Sequence, residues 1–441
     1  IKIITKEKII TGPAYLTFFN IPTPLVLPFG YFPNNDKKSS GLIFPSYGES
    51  ATLGFFLKEG GYYFTLNERM DLSLKSDIYS QGSWNVKSNL RYKKRYKFNG
   101  SFNLNYGSMK NSYKGFPEFS EKKDFFIKWI HKQDQKANPS FSFSANVEAG
   151  SSSYHRNNSY NANDYLKNTM SSNVNLSKQW SAGLFNNLNI SFRHSQNISN
   201  NSVNLTLPDL SLNSKRIFPV KLLIKSNKSK WYNRISVKYD LSARNTLSTG
   251  DSLLFKKESL TDFRNGFNHN IPITTSARLF KHINLTTNIN LRERWYLNQI
   301  NKTWNEIESI VIIDTINKFT RGHDYSLSTG LNTKIYGIIQ FPKGKIAGLK
   351  HVITPNLSFR YTPDFSKEKY GYYKTVQIND SGEFSNYSIM ENGIYGSPTK
   401  NKIGNINFSL GNILDMKIRS SKDSINGIKK IKLIESFSIS S

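Results

Sequence analysis

Apolar and polar residues alternate along much of this chain with a period of two. From Tyr96 the even positions are Tyr96, Phe98, Gly100, Phe102, Leu104 and Tyr106, while Lys97, Asn99, Ser101, Asn103 and Asn105 fill the odd ones. Successive side chains of a strand point to opposite faces, so the pattern predicts a strand with one apolar face and one wet face. It recurs at Leu72, Leu74 and Ile78, at Trp84, Val86, Leu90 and Tyr92, and at Phe141, Phe143, Ala145 and Val147. Further on it marks Leu188, Ile190 and Phe192, then Ile283, Leu285, Ile289 and Leu291, then Tyr325, Leu327 and Leu331, and finally Ile406, Phe408 and Leu410. No helical period interrupts the series.

The runs over residues 96–106 and 325–337 are roughly twice the length of a common soluble strand. Many runs carry Tyr, Trp or Phe at their ends and smaller aliphatics between, the arrangement of strands that cross an outer membrane with aromatic girdles at both interfaces. A soluble sandwich or propeller shares the alternation, and strand length separates the two. Connectors fall into two kinds: tight ones such as Lys93-Lys94-Arg95, and long polar ones over residues 151–167, 298–321 and 364–399. Short turns on one side and long loops on the outer side are the rule in such barrels. The fold class expected is therefore all-β, a large transmembrane antiparallel β-barrel.

The segment over residues 21–48 breaks the pattern. IPTPLVLPFGYFP sets Pro22, Pro24, Pro28 and Pro33 in an extended apolar run, and SGLIFPSYG follows a polar turn and carries Pro45. Proline has no N–H for the ladder, so these strands belong at an edge, a bulge or an opening seam. Residues 1–14 repeat KIIT around Lys6-Glu7 and read as the last rungs of a preceding β-domain, with the barrel expected over residues 15–441. The chain begins as if inside a β element and ends on FSISS, a strand just begun. It reads as a fragment without its targeting signal or its C-terminal strands.

Composition changes this picture little. The 441 residues include 30 Phe and 24 Tyr against 6 Trp, and the mean hydropathy is negative. No apolar run is long enough for a membrane helix, which leaves a barrel open because its strands need only about 9–11 residues. With no cysteine, disulfides, thiol nucleophiles and Cys-ligated metals are excluded within this stretch. The net charge of +29 admits a nucleic-acid reading. The Lys are instead spread beside Asn, Ile, Ser and Tyr, as compositional bias produces. An anion-tolerant lumen or an interface with anionic headgroups is a third reading.

Catalytic patterns are absent: no GxSxG, P-loop, HExxH or dinucleotide fingerprint occurs. The seven His are dispersed without metal-ligand spacing, so no cofactor or metal is expected. Trp129, His131, Gln133 and Asp134 gather an indole, an imidazole, an amide and a carboxylate at the end of an apolar run. A hydrogen-bonded strand-end motif facing a lumen accounts for them better than an acid–base pair. HVITPNLSFRYTPDF, residues 351–365, places Pro355 at the start of an alternating strand.

The run IPTPLVLPFGYFP with SGLIFPSYG, where Ser40, Gly41 and Pro45 fall, resembles the start of the barrel in the LptD family of lipopolysaccharide-assembly proteins, in its Bacteroidetes form. YYFTLNERMDLSLKSDIYSQGSW, DFFIKWIHKQDQKANPSFSFS and HVITPNLSFRYTPDF resemble later segments, so the similarity runs over nearly the whole chain. The resemblance implies an outer-membrane barrel of about 26 strands, incomplete here, behind a periplasmic β-jelly-roll. It implies lipopolysaccharide as cargo, an LptE-like plug lipoprotein, an LptA-like periplasmic bridge, and a lateral seam weakened by Pro22, Pro24 and Pro28. The family often links its N-terminal domain to the barrel by disulfides, for which this chain has no Cys. The implied function is a non-enzymatic outer-membrane translocon; the alternative is a passive porin or nutrient channel.

Overall fold

The computed structural model describes all residues except 1, 5–7, 19–20, 28, 34–37, 113–114, 118, 156–165, 225–229, 255, 258, 260–261, 420–426 and 441. Before Gly41 the strands pair in two small sheets. β1 (Lys2–Ile4) and β2 (Lys8–Thr11), the two halves of the KIIT repeat, pair with each other, and β2 continues to β5 (Gly30–Pro33). β3 (Ala14–Phe18) pairs with β4 (Ile21–Leu27).

From β6 onward the pairing order is that of a closed antiparallel barrel. It takes in β6 (Gly41–Ile43), β7 (Ser46–Ser50), β8 (Gly54–Asn67), β9 (Met70–Tyr79), β10 (Trp84–Lys94), β11 (Phe98–Asn111), β12 (Ser120–Gln133), β13 (Phe141–Gly150) and β14 (Thr169–Gln179). β15 (Phe185–Asn197), β16 (Ser202–Ser214), β17 (Ser236–Val237), β18 (Asp240–Gly250), β19 (Arg264–Leu279) and β20 (Ile283–Tyr296) follow. The hairpin of β21 (Gln299–Asn305) and β22 (Ile310–Ile316) stands outside the order, which resumes with β23 (Thr320–Asn332), β24 (Ile335–Gln340) and β25 (Ile346–Thr362). A second hairpin, β26 (Tyr373–Gln377) with β27 (Phe384–Ser388), is also outside; β28 (Ile403–Arg419) and β29 (Ile428–Ser440) complete the order. No helix among the described residues is long and apolar enough to cross a membrane.

By packing the chain divides into two compact units, Ile1–Lys178 with Ser191–Thr206 and Leu247–Thr261, and the remainder. In the first, register follows the alternation. Leu90 lies opposite Phe102 and Phe102 opposite Trp129, while Val86 faces Tyr106 and Tyr106 faces Phe125, so the apolar positions form continuous cross-strand rows. The intervening positions set Arg91 against Ser101 and Asn103 against Lys128, the wet face. The turn between β10 and β11 is residues 95–97, two positions later than expected, because Lys93 and Lys94 still pair with Asn99 and Phe98.

In the second unit two sequence expectations change. Pro355 does not begin a strand: β25 runs through it, paired to Leu410, and the partner on the other side breaks between Asn332 and Ile335. A residue without N–H interrupts its neighbour's ladder and leaves its own strand continuous. The connectors over 298–321 and 364–399 are not simple polar loops. They contain the two hairpins and bury a core of Tyr296, Phe365, Tyr372, Ile389 and Met390, with a second of Ile300, Val376 and Tyr387. Loop 151–167 lies largely outside the described residues.

Candidate functional site: an interrupted first strand on a charged face

The strands that open the barrel order are short. β6 and β7 have three and five residues, against fourteen in β8, and both pair with β8 on either side of Phe44-Pro45. Ile43 lies opposite Gly61 and Ser46 opposite Lys58, so Phe44-Pro45 faces Glu59-Gly60. The break is matched on both chains. Glu59 has φ 61°, and the β8–β9 register shifts between Leu57 and Gly60, which marks a bulge. A Cβ on Gly60 would come within 2.9 Å of the Pro45 ring, so only glycine leaves room for the proline.

The backbone N–H of Glu59, turned away from the ladder by the bulge, donates to Asp77 Oδ1 at 2.8 Å. Asp77, 1 % exposed, accepts Lys87 Nζ at 2.8 Å on its other oxygen, and Glu59 in turn receives Lys75 at 2.7 Å and Lys87. The interruption is therefore held by a four-residue ion network on the wet face of β8–β10. Nearer the other end of β9, buried Asp71 receives Lys38 Nζ at 2.5 Å and Arg91 Nε at 2.8 Å. Ser40 Oγ accepts the Thr65 N–H at 2.8 Å, and Gly41 pairs opposite Tyr63, which fixes where β6 begins. Phe44 and Tyr47 are 85 % and 87 % exposed, and an apolar cleft of about 570 Å³ lies beside them among Tyr47, Phe55, Leu57, Ile78 and Tyr79.

The other residues singled out in the sequence lie elsewhere. Pro22 and Pro24 are on β4, in the small sheet with β3 and outside the barrel order; both strands of a two-stranded sheet are edges, where proline is tolerated. Pro28 lies outside the described residues. Pro33 closes β5 opposite Lys8. Trp129 and His131 do form a hydrogen-bonded cluster, but through a partner the sequence window missed. The Tyr92 hydroxyl, from β10, accepts Trp129 Nε1 at 2.9 Å and pairs with His131 Nδ1 at 2.8 Å. These side chains share the apolar face with Phe98 and Phe143, not the wet one. Gln133 donates to the Phe141 carbonyl, and Asp134 caps the turn by accepting the Lys136 N–H. The second unit has a parallel arrangement, in which Tyr239 pairs with His269 Nδ1 at 2.8 Å and the imidazole lies 4.0 Å from Trp295. Among the described residues no group of three or more His, Cys, Asp or Glu is placed to hold a metal.

Comparison with known proteins points to one family. The family model described as "LptD protein" matches residues 9–441. The chain belongs to the LptD family. Curated relatives agree over a shorter stretch. The LPS-assembly protein LptD of Shewanella frigidimarina (strain NCIMB 400) is 33 % identical over 93 residues, 21 % of this chain and 12 % of that protein. The LPS-assembly protein LptD of Idiomarina loihiensis is 33 % identical over 94 residues, with the same coverage of each chain. The matched stretch thus spans about an eighth of these LptD relatives' length.

Proposed function

We propose that this chain is the barrel of an outer-membrane translocon that delivers lipopolysaccharide to the outer leaflet. The observation that carries the reading is the interrupted pairing of β6 and β7 with β8 around Phe44-Pro45, where the break at the proline is matched by a bulge at Glu59-Gly60 on the facing strand. In hydrocarbon each unpaired backbone group costs several kcal/mol, so a barrel opens where the fewest pairs must be broken. A first strand already broken at Pro45 is such a place. The wet face takes the sugar portion through its Lys, Asn and Ser, and the cleft beside Tyr47 and Phe55 takes acyl chain. No bond is made or broken in the cargo. Energy arrives with material pushed along an LptA-like bridge, and an LptE-like lipoprotein occupies the lumen.

In this reading the gate includes Pro45, with Pro22, Pro24 and Pro28 ahead of it in the chain. Pro45→Ala restores an N–H at the break and is expected to lower surface lipopolysaccharide, measured by labelling intact cells, while the barrel still assembles. The triple change of Pro22, Pro24 and Pro28 to Ala is the companion test. Unchanged surface delivery by both well-assembled variants would sink the gate. Ion conductance in bilayers without a lipopolysaccharide phenotype on depletion would favour the passive channel.

A further inference from the structure

The end of the first unit at which β8 turns into β9 and β10 into β11 carries a cavity of about 830 Å³. Its cationic lining is Lys38, Arg69, Arg91, Lys93, Lys94 and Arg95; its acids are Glu68 and Asp71. Asp71 is already committed, buried between Lys38 and Arg91, so it orients those two cations without neutralising the rest. Among the described residues Arg69, Lys93, Lys94 and Arg95 have no carboxylate partner. They come from the β8–β9 turn and from the end of β10 with the turn that follows it, brought together because β9 and β10 pair with Arg91 opposite Asp71. Asn99, Ser101 and the edge of Tyr92 add neutral polar groups to the same wall. A second hollow of about 600 Å³ continues past the 95–97 turn to Lys132 and Gln133.

A concave surface with excess guanidinium and ammonium groups, some pre-oriented by a buried carboxylate, suits a compact dianion with several acceptor oxygens. A carboxylate presents only two. Arg91 and Lys93 lie on the wet face and Lys94 on the face of Tyr92, which lines the cavity and also belongs to the aromatic cluster with Phe98 and Trp129. A ligand there has its charged group against the basic cavity and an apolar part within reach of lipid.

We propose that this cavity is a phosphate-binding subsite that takes the phosphorylated head of an anionic lipid; as a station for cargo it rests on the translocation reading above. The test uses the full chain in detergent or nanodiscs and calorimetric titration with glucosamine 1-phosphate, with unphosphorylated glucosamine and with short-chain phosphatidylglycerol. The variant changes Lys93, Lys94 and Arg95 to Ala, which removes three of the six cations lining the cavity; folding is checked by its gel shift on heating. The wild-type chain is expected to bind the sugar phosphate and not the sugar, with affinity that falls as salt rises. The triple variant is expected to lose about tenfold or more. Stronger binding of the sugar phosphate, a monoester, supports the subsite and assigns it to glycolipid; stronger binding of phosphatidylglycerol, a monoanionic diester, overturns the dianion assignment. Equal binding of glucosamine and its phosphate, or an unchanged folded variant, overturns it. Failure of the translocation reading would appear separately, as unaltered surface lipopolysaccharide on depletion.

Discussion

Tyr92 shows how a single side chain organises an end of the barrel strands. Its hydroxyl joins the Trp129 indole and the His131 imidazole, and a Cβ on Gly100 would meet that same hydroxyl at 2.4 Å. Glycine at 100 is thus the space in which the phenol lies across β11. Three polar tips satisfy each other on a face that is otherwise apolar, where an unpaired donor is costly. Tyr92→Phe removes both hydrogen bonds while keeping the ring. It is expected to destabilise the chain by about 1–2 kcal/mol, read as a lower urea midpoint in micelles. An unchanged midpoint would mean that solvent or lipid headgroups already serve Trp129. The sequence brought Trp129 and His131 forward together but not Tyr92, because 37 residues separate it from Trp129 and only the β10–β11–β12 register brings them into contact.

At the scale of an element, the segment between β25 and β28 is the most built of the connectors. Its two ends are tied together at Asp364, whose Oδ1 accepts the Ser366 hydroxyl at 2.6 Å, the Ser366 N–H at 2.9 Å and the Asn401 N–H at 3.1 Å. Its far part returns to the strands. Arg264 Nε donates to the Asn392 carbonyl, Arg294 Nε to the Tyr395 carbonyl, and the Tyr296 hydroxyl to the Gly396 carbonyl. Arg294 lies opposite Asn268 and Gly322, on the wet face of β19, β20 and β23, so the segment folds onto that face. There burial pushes the Tyr395 phenol up to about 12.

The clasp at Asp364 makes this element sensitive to acid. The Ser366 hydroxyl first, then the two backbone N–H groups, hold the carboxyl below its ordinary value of 3.8. A folded-state pKa below the unfolded one stabilises the clasp above the unfolded value, and that contribution is lost as pH falls through the lowered value. Hydrogen exchange at Phe365 and Asn401, corrected for intrinsic rate, is therefore expected to rise as the pH falls below the ordinary carboxyl value of 3.8. Asp364→Asn is expected to exchange faster at neutral pH and to lack the acid step. An acid step of equal size in that variant would assign the effect to another group.

At the scale of the whole molecule, the pairing order returns to its start, so backbone groups of the spanning strands find partners without water. Such a ladder resists stepwise loss of strands. The folded chain in detergent is expected to keep its β signal by circular dichroism until heated, and to migrate differently on a gel before and after boiling. A chain that unfolds gradually in mild detergent, with no mobility shift, would contradict closure. The formal charge of +29 is distributed rather than patched over most of the length, with the cavity at the β8–β9 and β10–β11 turns as a local excess.

The residues alone determined the strands. A period of two over ten or more positions admits only one regular structure, and aromatic ends with polar intervals fix which face each residue takes. They also determined that proline would mark a weak place near the chain's start, since no environment gives proline an N–H. Tertiary pairing decided which proline interrupts a strand of the barrel order. Pro22 and Pro24 went to a separate small sheet, while Pro45 met Gly60 in a bulge whose freed N–H is taken by Asp77, seventeen residues after Gly60. It likewise decided that two long polar connectors fold into hairpins with their own cores, and that Arg69 and Lys93 share a wall with Lys38. Periodicity is a property of one strand, whereas register, matched breaks and charge clusters belong to pairs of strands and form only when those strands meet.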